Sequence, residues 1–493
     1  MPMQGLSNQE FMYFIVAFLI VAAIIPILRR LAFTTGFVDM PEGRKRHDNA
    51  VPPVGGLAIF PVFMALLYYS GMLPVSPWVY VGLTVLLVVG VLDDVRALPA
   101  SFKFIVQIVV AFLIVVPGGI RVNDLGDLLG FGPIWLSWVS IPFTIIAVVL
   151  VVNAINLIDG LDGLAGGFGF IITFWLAVCC YLSGQLDRFI AVLILAGALL
   201  GFLVYNMRHP FRQRATAFLG NSGSQCLGLV LAWLLIEFSQ MGRGGAVIQP
   251  ITVAWLLALP IYDTCGQFAR RVSLGRHPFD PDRHHFHHHF LYAGLTDAQA
   301  TTAILLVVFV TGLIGVGGML LGVPEGVLTY LWIVFLLLHI YMSMRPLRYL
   351  EILLPLNGKS VDNVIGQLIL ESGVINEAQL LEVLEHQGKF GGKIGELLVE
   401  KGYISKPRLE YFLNLQVVRN ATRRKINRSR RDMLLGEIML ADNVITNDQL
   451  EEALSCQRQN GGWIGQILIG LGYVTESGLK KCLDRQSSVR TGG

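Results

Sequence analysis

The sequence predicts an all-α polytopic membrane protein of about eleven transmembrane helices, followed by a cytoplasmic, mainly helical repeat domain. Three observations support this prediction. Only 14% of the 493 residues are charged, whereas soluble domains carry about 25%, and the mean hydropathy is +0.63. Long apolar runs fill residues 1–345, while residues 355–493 are rich in Glu, Lys, Arg and Gln. Within that polar tail, one sequence pattern recurs four times.

Apolar runs long enough to cross a bilayer recur along the first part of the chain. A transmembrane helix needs roughly 20 mostly apolar residues. The first run lacks a basic start and a small-residue cleavage site, so we predict a retained helix rather than a removable signal. The predicted spans lie near residues 11–28, 53–72, 77–92, 103–118, 133–152, 168–183, 189–205, 226–239, 249–264, 302–321 and 327–343.

Basic residues are unevenly distributed among the loops between these spans. Alternate loops fall into two sets, and most of the Lys and Arg residues belong to one of them. That set includes the run Arg-Lys-Arg at 44–46, whereas the other set holds Arg121, Arg188 and Arg243. Because cytoplasmic loops carry the excess of Lys and Arg, we predict that the N-terminus lies outside and the tail inside.

The unusual polar clusters all fall on the predicted cytoplasmic side. They read GRKRHDNAVPPVGG (43–56), LDDVRA (92–97), NAINLIDGLDG (153–163), FLGNSGSQ (218–225) and PFDPDRHHFHHHF (278–290). An ionisable residue near membrane depth is costly, so a functional role is the default hypothesis for each cluster.

Two pairs of carboxylates stand at span ends. Asp93 and Asp94 are adjacent, and such a pair either ends a span or shares a cation such as Mg²⁺, which prefers oxygen ligands. Asp159 and Asp162 are three residues apart, a spacing that places both on one face of a helix. The alternative for the second pair is a helix N-cap followed by a first-turn acid.

The remaining clusters each have a structural and a functional interpretation. The GNSGS segment (220–224) is either a turn or a source of N–H groups for a phosphate. The histidines of 284–289 form a metal site, a pH-sensitive surface or a phosphate clamp. The basic run 44–46 sets topology or binds an anion. Together, carboxylates, a glycine-serine segment, cations and histidines on one membrane face suit a diphosphate substrate with Mg²⁺.

These motifs, in this order, resemble the polyprenyl-phosphate N-acetylhexosamine-1-phosphate transferases of glycosyltransferase family 4. The matching stretches are RKRHDNAVPPVGG, LDD, NAINLIDGLDGLAGG, FLGNSGS and DRHHFHHHF, and the resemblance covers about residues 10–345. The DR before the histidines and the RRVSLGRHPF run (270–279) are more similar to the N-acetylglucosamine-1-phosphate branch than to the peptidoglycan branch.

The resemblance implies an enzyme of the bacterial inner membrane with a cytoplasmic active site, commonly a homodimer. It implies transfer of a sugar 1-phosphate, most of all N-acetylglucosamine 1-phosphate, from a UDP-sugar to undecaprenyl phosphate. UMP is released, a lipid-linked surface glycan is started, and Mg²⁺, with Mn²⁺ as the alternative, is required. We expect direct in-line attack by the lipid phosphate, and a two-step route through an aspartyl phosphate stays open. No nucleic-acid partner is expected.

The resemblance also assigns roles to residues by motif position. The catalytic residues are Asp93, Asp94, Asp159, Asp162, His287 and His288. The metal ligands are Asp93, Asp94, Asp159 and Asn221. The substrate-binding residues are Lys45, Arg46, Asn156, Gly220, Ser222, Arg271, His285 and His289.

Two positions depart from the family pattern. Ala97 stands where the acidic stretch often has a third aspartate, and Asn221 stands where a metal-binding aspartate is usual. An amide oxygen coordinates Mg²⁺ without charge, so we expect weaker metal binding or an altered cation preference. A catalytically weak scaffold is therefore one alternative. A membrane transporter is the other alternative. It would require polar residues within the spans, and most of the spans lack them.

The tail pattern occupies residues 365–387, 394–416, 435–457 and 464–486. The copies form two pairs, so we predict a membrane domain at 1–345, a linker at 346–360, repeat pairs at 361–418 and 433–493, and a basic linker at 419–432. Each copy is predicted to be a helical hairpin. Its first helix ends at Gly373, Gly402, Asn443 or Gly472, and its second is capped by Asn376, Ser405, Thr446 or Thr475.

This repeat resembles the N-terminal domain of type II secretion and type IV pilus assembly ATPases. The resemblance implies cyclic di-GMP binding for some such domains, with Arg before a glycine. Here the corresponding regulatory candidates are Lys393 and four glycines, Gly366, Gly395, Gly436 and Gly465. Docking to a protein partner is an equal alternative, and a packing module without a ligand is the third.

Overall fold

The computed structural model consists of two compact units, the first mainly within residues 1–359 and the second mainly within residues 360–493. Lys45, Arg46, Gly436 and the linker 419–432 lie outside the described residues. The described residues are 8–39, 50–71, 75–208, 212, 214–240, 245–273, 275–277, 285–293, 295–345, 352–353, 366, 369–370, 374–390, 392–406, 408–409, 412–413, 435, 439–440, 442, 444–460 and 463–491.

Helices dominate the first unit, and its described residues contain two isolated β-bridges but no strand. In chain order the helices are α1 (Asn8–Thr35), α2 (Gly55–Ser70), α3 (Pro77–Val95), α4 (Ala100–Val115), α5 (Ser140–Ile158), α6 (Leu164–Leu182), α7 (Leu186–Asn206), α8 (Gly220–Ser239), α9 (Pro250–Leu256), α10 (Ala258–Ser273), α11 (Phe286–Tyr292), α12 (Asp297–Leu320) and α13 (Glu325–Met344).

Eight of these helices are long and apolar enough to cross a membrane, namely α1, α3, α5, α6, α7, α8, α12 and α13. Two shorter apolar helices, α2 and α4, have 16 residues each. The chain is therefore a helical, multi-pass membrane protein, as predicted. The count of eleven spans and their orientation stay predictions.

Two predicted spans differ from the observed helices. The ninth segment (249–264) is divided into α9 and α10, because Pro260 has no N–H with which to continue the bond to the carbonyl four residues earlier. The fifth helix lies later than predicted. Ile134 belongs instead to a loop pairing, in which the Leu125 N–H donates to the Ile134 carbonyl at 2.9 Å.

Helix α8 is the centre of the first unit, and it packs against α2, α3 and α5. Glycines permit these close contacts. A Cβ atom on Gly56 of α2 would lie 2.5 Å from the Gly223 nitrogen, and one on Gly90 of α3 would lie 2.3 Å from Ser222 Cα. The same atom on Gly228 would lie 2.6 Å from Val152 Cα. The three neighbours of α8 are thus held against its backbone.

The described part of the second unit contains α14 (Glu377–Phe390), α15 (Ile394–Glu400), α16 (Asn447–Asn460), α17 (Ile464–Gly470) and α18 (Glu476–Thr491). Gly402 and Gly472 follow their helices with φ of 72° and 76°, as the predicted left-handed C-caps require. Gly373 and Asn443 lie outside the described residues.

Three of the predicted N-caps form side-chain hydrogen bonds. Asn376, Thr446 and Thr475 each accept an N–H from three residues later, at 2.9, 3.4 and 3.3 Å. Copies three and four share one core, which includes Met439, Ala453, Ile464 and Leu468. The third and fourth copies therefore pack together.

Candidate active site

The carboxylate of Asp94, at the end of α3, accepts hydrogen bonds from the start of α8. The backbone N–H groups of Asn221 and Ser222 donate at 2.8 and 3.2 Å, and the Ser222 hydroxyl donates at 3.0 Å. Unpaired N–H groups and the helix dipole stabilise an anion at this position. These N–H groups, for which a phosphate was one of two interpretations, therefore bind a carboxylate of the protein itself. Gly220 follows the same geometry, since its Cβ would lie 2.7 Å from Asp94 Oδ2.

Asp93 is buried and is bound on the side of α4. Its side chain is 3% exposed, and its Oδ2 lies 2.9 Å from Lys103 Nζ. The Leu98 N–H donates to its other oxygen at 2.8 Å. Both oxygens of Asp93 thus have protein partners, whereas those of Asp94 hold the start of α8. The two adjacent carboxylates have different surroundings.

Amide side chains connect α5 to α8 at the same level. The Asn156 Nδ2 group donates to Asn221 Oδ1 at 3.2 Å and to the Ser224 hydroxyl at 2.7 Å. Deeper in the bundle, Asn153 donates to Gln107 at 2.6 Å, and Gln107 donates to Gln225 at 3.2 Å. These bonds satisfy polar groups that would be costly in an apolar environment.

Asp159 and Asp162 lie in the turn between α5 and α6, so the prediction of a shared helical face is wrong. Helix α5 ends at Ile158, and α6 begins at Leu164. Gly163 has φ of 80°, a left-handed conformation suited to glycine. Its N–H donates to the Asn206 side chain at 2.8 Å, which fixes the turn against α7.

The Asp159 carboxylate has no hydrogen-bond partner among the described residues. Burial, and to a smaller extent the nearby carboxylates of Asp94 and Asp162, together raise its pKa from 3.8 to about 7. The group is therefore an uncompensated acid at the end of a transmembrane helix. A bound cation would relieve both causes of the raised pKa.

Asp162, in contrast, is held in an ion network. Arg208 Nε lies 2.7 Å from Asp162 Oδ2, and a terminal nitrogen of the same guanidinium lies 2.6 Å from Asp297 Oδ2. The Ala215 N–H and the Thr301 hydroxyl also donate to Asp162, at 3.2 and 3.1 Å. Asp162 thus joins the turn to α12 and to the segment before α8.

The histidine segment packs against this same turn. A Cβ atom on Gly160 would lie 2.6 Å from His287 Nε2, so the imidazole edge lies directly on the backbone beside Asp159. The His285 ring is parallel to that of His287 at a centroid distance of 6.2 Å, and Nδ1 of His285 lies 2.9 Å from Asp263 Oδ2. The His288 ring centroid lies 4.2 Å from that of His287.

Four further residues were predicted to bind substrate, namely Arg271, His289, Lys45 and Arg46. His289 and Arg271 are buried, at 1% and 6% exposed. Lys45 and Arg46 lie outside the described residues, so their assignment stays a prediction.

Sequence analysis did not assign five residues that contact the site: Lys103, Gln107, Asn153, Arg208 and Asp263. Gln107 and Asn153 are polar residues inside apolar spans, which is the one signal that could have identified them. Lys103 and Arg208 were counted only as topology signals. Lys103 is separated from its partner Asp93 by the loop between α3 and α4. Arg208 is distant from its partner Asp162 along the chain.

The residues present are compatible with a divalent cation. Among the described residues, no three His, Cys, Asp or Glu side chains form a metal site by themselves. Mg²⁺, however, is usually bound by one or two carboxylates together with substrate phosphates and water. Asp159 lies near Asp94 with a carboxylate that no other described residue hydrogen-bonds, and the Asn221 amide oxygen is a neutral group of the kind that Mg²⁺ accepts.

The fold and the site define a multi-pass membrane protein in which acidic, amide and imidazole groups meet at the ends of α3, α5 and α8. The pattern of Glycosyl transferase family 4 matches residues 76–239. The chain belongs to this family, which is a family of transferases. The alignment with each of three relatives covers most of that relative's length.

Three relatives of this chain have closely similar names. The undecaprenyl-phosphate alpha-N-acetylglucosaminyl 1-phosphate transferase of Haemophilus influenzae is 34% identical over 64% of this chain and 88% of that protein. The enzyme of the same name from Yersinia pestis is 32% identical over 67% and 90%. A probable undecaprenyl-phosphate N-acetylglucosaminyl 1-phosphate transferase of Bacillus subtilis is 34% identical over 60% and 81%.

Proposed function

We propose that this chain transfers N-acetylglucosamine 1-phosphate from a UDP-sugar to undecaprenyl phosphate, releases UMP and starts a lipid-linked surface glycan. One observation supports this most strongly: hydrogen bonds join Asp94 to Asn221 and Asn221 to Asn156, which lies one turn of α5 before Asp159, and Gly160 of the Asp159 turn lies against His287. These groups lie at the ends of transmembrane helices. A lipid phosphate and a water-soluble nucleotide sugar can meet at such a level.

Mg²⁺ is the proposed cofactor, with Mn²⁺ as the alternative, and Asp159, Asp94 and the Asn221 amide oxygen are the proposed ligands. When bound, the cation would neutralise the diphosphate and stabilise the leaving UMP. Asn156 orients the Asn221 amide, because its Nδ2 group donates to Asn221 Oδ1. Asp93 and Asp94 are weaker candidate ligands than Asp159, since both oxygens of each of these carboxylates have protein partners.

The chain's own groups would bind and orient the two phosphates. His287 and His288 supply N–H groups to phosphate oxygens beside the Asp159 turn, as in other oxyanion-binding sites. The lipid phosphate oxygen attacks the phosphorus attached to the sugar. A new P–O bond forms, and the bond to the UMP oxygen breaks. The lipid phosphate is already anionic near neutral pH, so positioning contributes more than deprotonation.

The test is turnover by the purified full chain in detergent with labelled UDP-N-acetylglucosamine, undecaprenyl phosphate and Mg²⁺. We expect labelled lipid and an equal amount of UMP. Asp159→Asn should lower kcat by about 10²-fold or more, as loss of one electrostatic group does in other enzymes. Asp187→Asn, the same change at an exposed site in α7, is the control. No product with either cation would refute the proposal and leave a transporter or scaffold.

We also propose a location in the bacterial inner membrane, with the N-terminus outside and the site and tail in the cytoplasm. The distribution of Lys and Arg among the loops supports this orientation. Labelling of single cysteines introduced near Gly184 and Arg276 from either side of the membrane tests it. Equal labelling of both from one side would contradict it. A homodimer is the proposed assembly, and the mass of the complex in native mass spectrometry tests that point.

For the tail we propose regulation, either by cyclic di-GMP or by a protein partner. Lys393 is 83% exposed at its side chain, lies before α15 and pairs with Glu396 at 3.1 Å, so an anionic ligand would compete with that carboxylate. Three of the candidate glycines, Gly366, Gly395 and Gly465, have packing roles of their own, as the contact of Gly395 with Leu409 illustrates. Calorimetry of the full chain with cyclic di-GMP decides between the two, and Lys393→Ala is the variant to compare. No heat with the wild type favours the protein partner.

A further inference from the structure

We propose that Asp263 is a positioning residue for the transfer reaction. It holds His285 and the first residue of α11 and thereby places His287 against the Asp159–Gly160 turn. This inference rests on the proposed function for its kinetic consequence. The contacts that carry it belong to the fold itself.

The Asp263 carboxylate is buried in α10 and uses both oxygens on the histidine segment. The residue is 4% exposed. Its Oδ2 lies 2.9 Å from His285 Nδ1, and its Oδ1 accepts the Phe286 N–H at 2.9 Å. Because an ionised carboxylate can only accept, His285 carries its proton on Nδ1. One side chain therefore fixes both the ring and the backbone at this point.

These two bonds affect the position of a candidate active-site residue that is close to them in the chain. Phe286 begins α11, and His287 is the next residue. The His285 and His287 rings are parallel within 6°, and His287 contacts the backbone beside Asp159 through Gly160. A rotation of the α11 start would therefore move the His287 imidazole relative to Asp159. Displacements of about 1 Å can lower turnover by about 10²-fold.

Asp263 is itself held on a fixed element. The hydroxyl of Tyr262 donates to the Trp332 carbonyl of α13 at 2.9 Å. Gly266 permits close contact between α10 and α13, since its Cβ would lie 2.5 Å from Ser343 Oγ. The polar groups that face Asp263 are His285, His287, His339 and Gln267. Asp263 is the acid among them, and this arrangement fits a fixed anchor for the histidines.

A double-mutant cycle with Asp263→Asn and His285→Phe tests the proposal. Both changes keep the side-chain size. Each single variant should lower kcat by about 10- to 100-fold, with a change in the KM for UDP-N-acetylglucosamine of less than about threefold. The double variant should be no slower than the slower single variant, because both remove the same contact. Effects that multiply would overturn the proposal. Asp187→Asn, in an exposed position of α7, is the matched control.

Hydrogen exchange supplies a readout that does not depend on turnover. The Phe286 amide should exchange faster in Asp263→Asn than in the wild type, while amides of α12 keep their protection. Unchanged exchange at Phe286 would refute the contact even in an active enzyme. If the wild type shows no transfer at all, the proposed function fails, and exchange still decides whether Asp263 holds the segment. If Asp263→Asn unfolds early, His285→Phe alone tests the kcat effect.

Discussion

Asp94 and Ser222 are joined by two hydrogen bonds, since both the N–H and the hydroxyl of Ser222 donate to Asp94 Oδ2, at 3.2 and 3.0 Å. This pair joins the end of α3 to the first turn of α8. The GNSGS segment is therefore a helix start that is held by a carboxylate. The Asn221 amide oxygen of the same segment accepts a hydrogen bond from Asn156 of α5.

The first prediction concerns Asp94. Asp94→Ala removes the acceptor of three hydrogen bonds and should lower the free energy of unfolding by about 1 kcal/mol or more, as loss of an N-terminal cap does. It should also lower kcat by about 10²-fold, because the start of α8 shifts. The melting temperature and the rate of UMP release measure the two effects. Wild-type turnover in Asp94→Ala would remove Asp94 from the site.

The second prediction concerns pH and Asp159. Its pKa is raised from 3.8 to about 7, so the metal-free folded state keeps a proton that the unfolded chain has lost between those values. The stability of the metal-free protein should therefore fall as the pH rises from about 4 to about 7. Melting temperatures at pH 5 and pH 8 in a chelator measure this difference.

Two comparisons make the pH prediction specific. Asp159→Asn should reduce the difference between pH 5 and pH 8, whereas Asp187→Asn should not. Added Mg²⁺ should raise the melting temperature more at pH 8 than at pH 5, since the cation binds the ionised carboxylate. Equal shifts by Mg²⁺ in the wild type and in Asp159→Asn would contradict Asp159 as a ligand.

The third prediction concerns Arg208, which bridges Asp162 and Asp297. The guanidinium is partly exposed, so its pairs should contribute less than fully buried ones. Arg208→Gln should lower the free energy of unfolding by about 1–2 kcal/mol, and Arg208→Lys should recover only part, because one ammonium cannot replace two nitrogens of a fork. Arg276→Gln, at an exposed position, should leave the melting temperature unchanged.

The fourth prediction concerns two glycines of α17. A Cβ on Gly465 would lie 2.8 Å from Leu479 Cδ1, while Gly470 has nothing within 4 Å. Gly465→Ala should therefore destabilise the second repeat pair by about 1–3 kcal/mol through overpacking. Gly470→Ala should be neutral or slightly stabilising, because alanine favours the helix. Hydrogen exchange of α17 and α18 in the full chain measures both. Equal effects of the two variants would contradict a packing role for Gly465.

The sequence predicted some features because they depend on local residues. Apolar runs predicted the helices, and the Gly and Thr positions of the repeat predicted the caps at Gly402, Gly472 and Thr446. The division of the ninth span was missed although Pro260 was visible, because hydropathy averages over a window and does not register one missing N–H. The turn of Asp159 and Asp162 was missed because the spacing of three also fits a helix.

The composition and motifs of this chain by themselves determined a multi-pass helical membrane protein with acids, amides and imidazoles at span ends. The free energy of transferring a helix from water into the bilayer and the motifs of the family are both properties of short segments of the sequence. Only the tertiary structure decided which of these groups are already paired. It bound Asp93 to Lys103, Asp162 to Arg208 and Asp94 to the start of α8, and within the described part of the chain it left the Asp159 carboxylate without a hydrogen-bond partner. The physical reason is that the charge and the hydrogen bonds of a carboxylate depend on the groups close to it in space. The fold brings those groups from other helices.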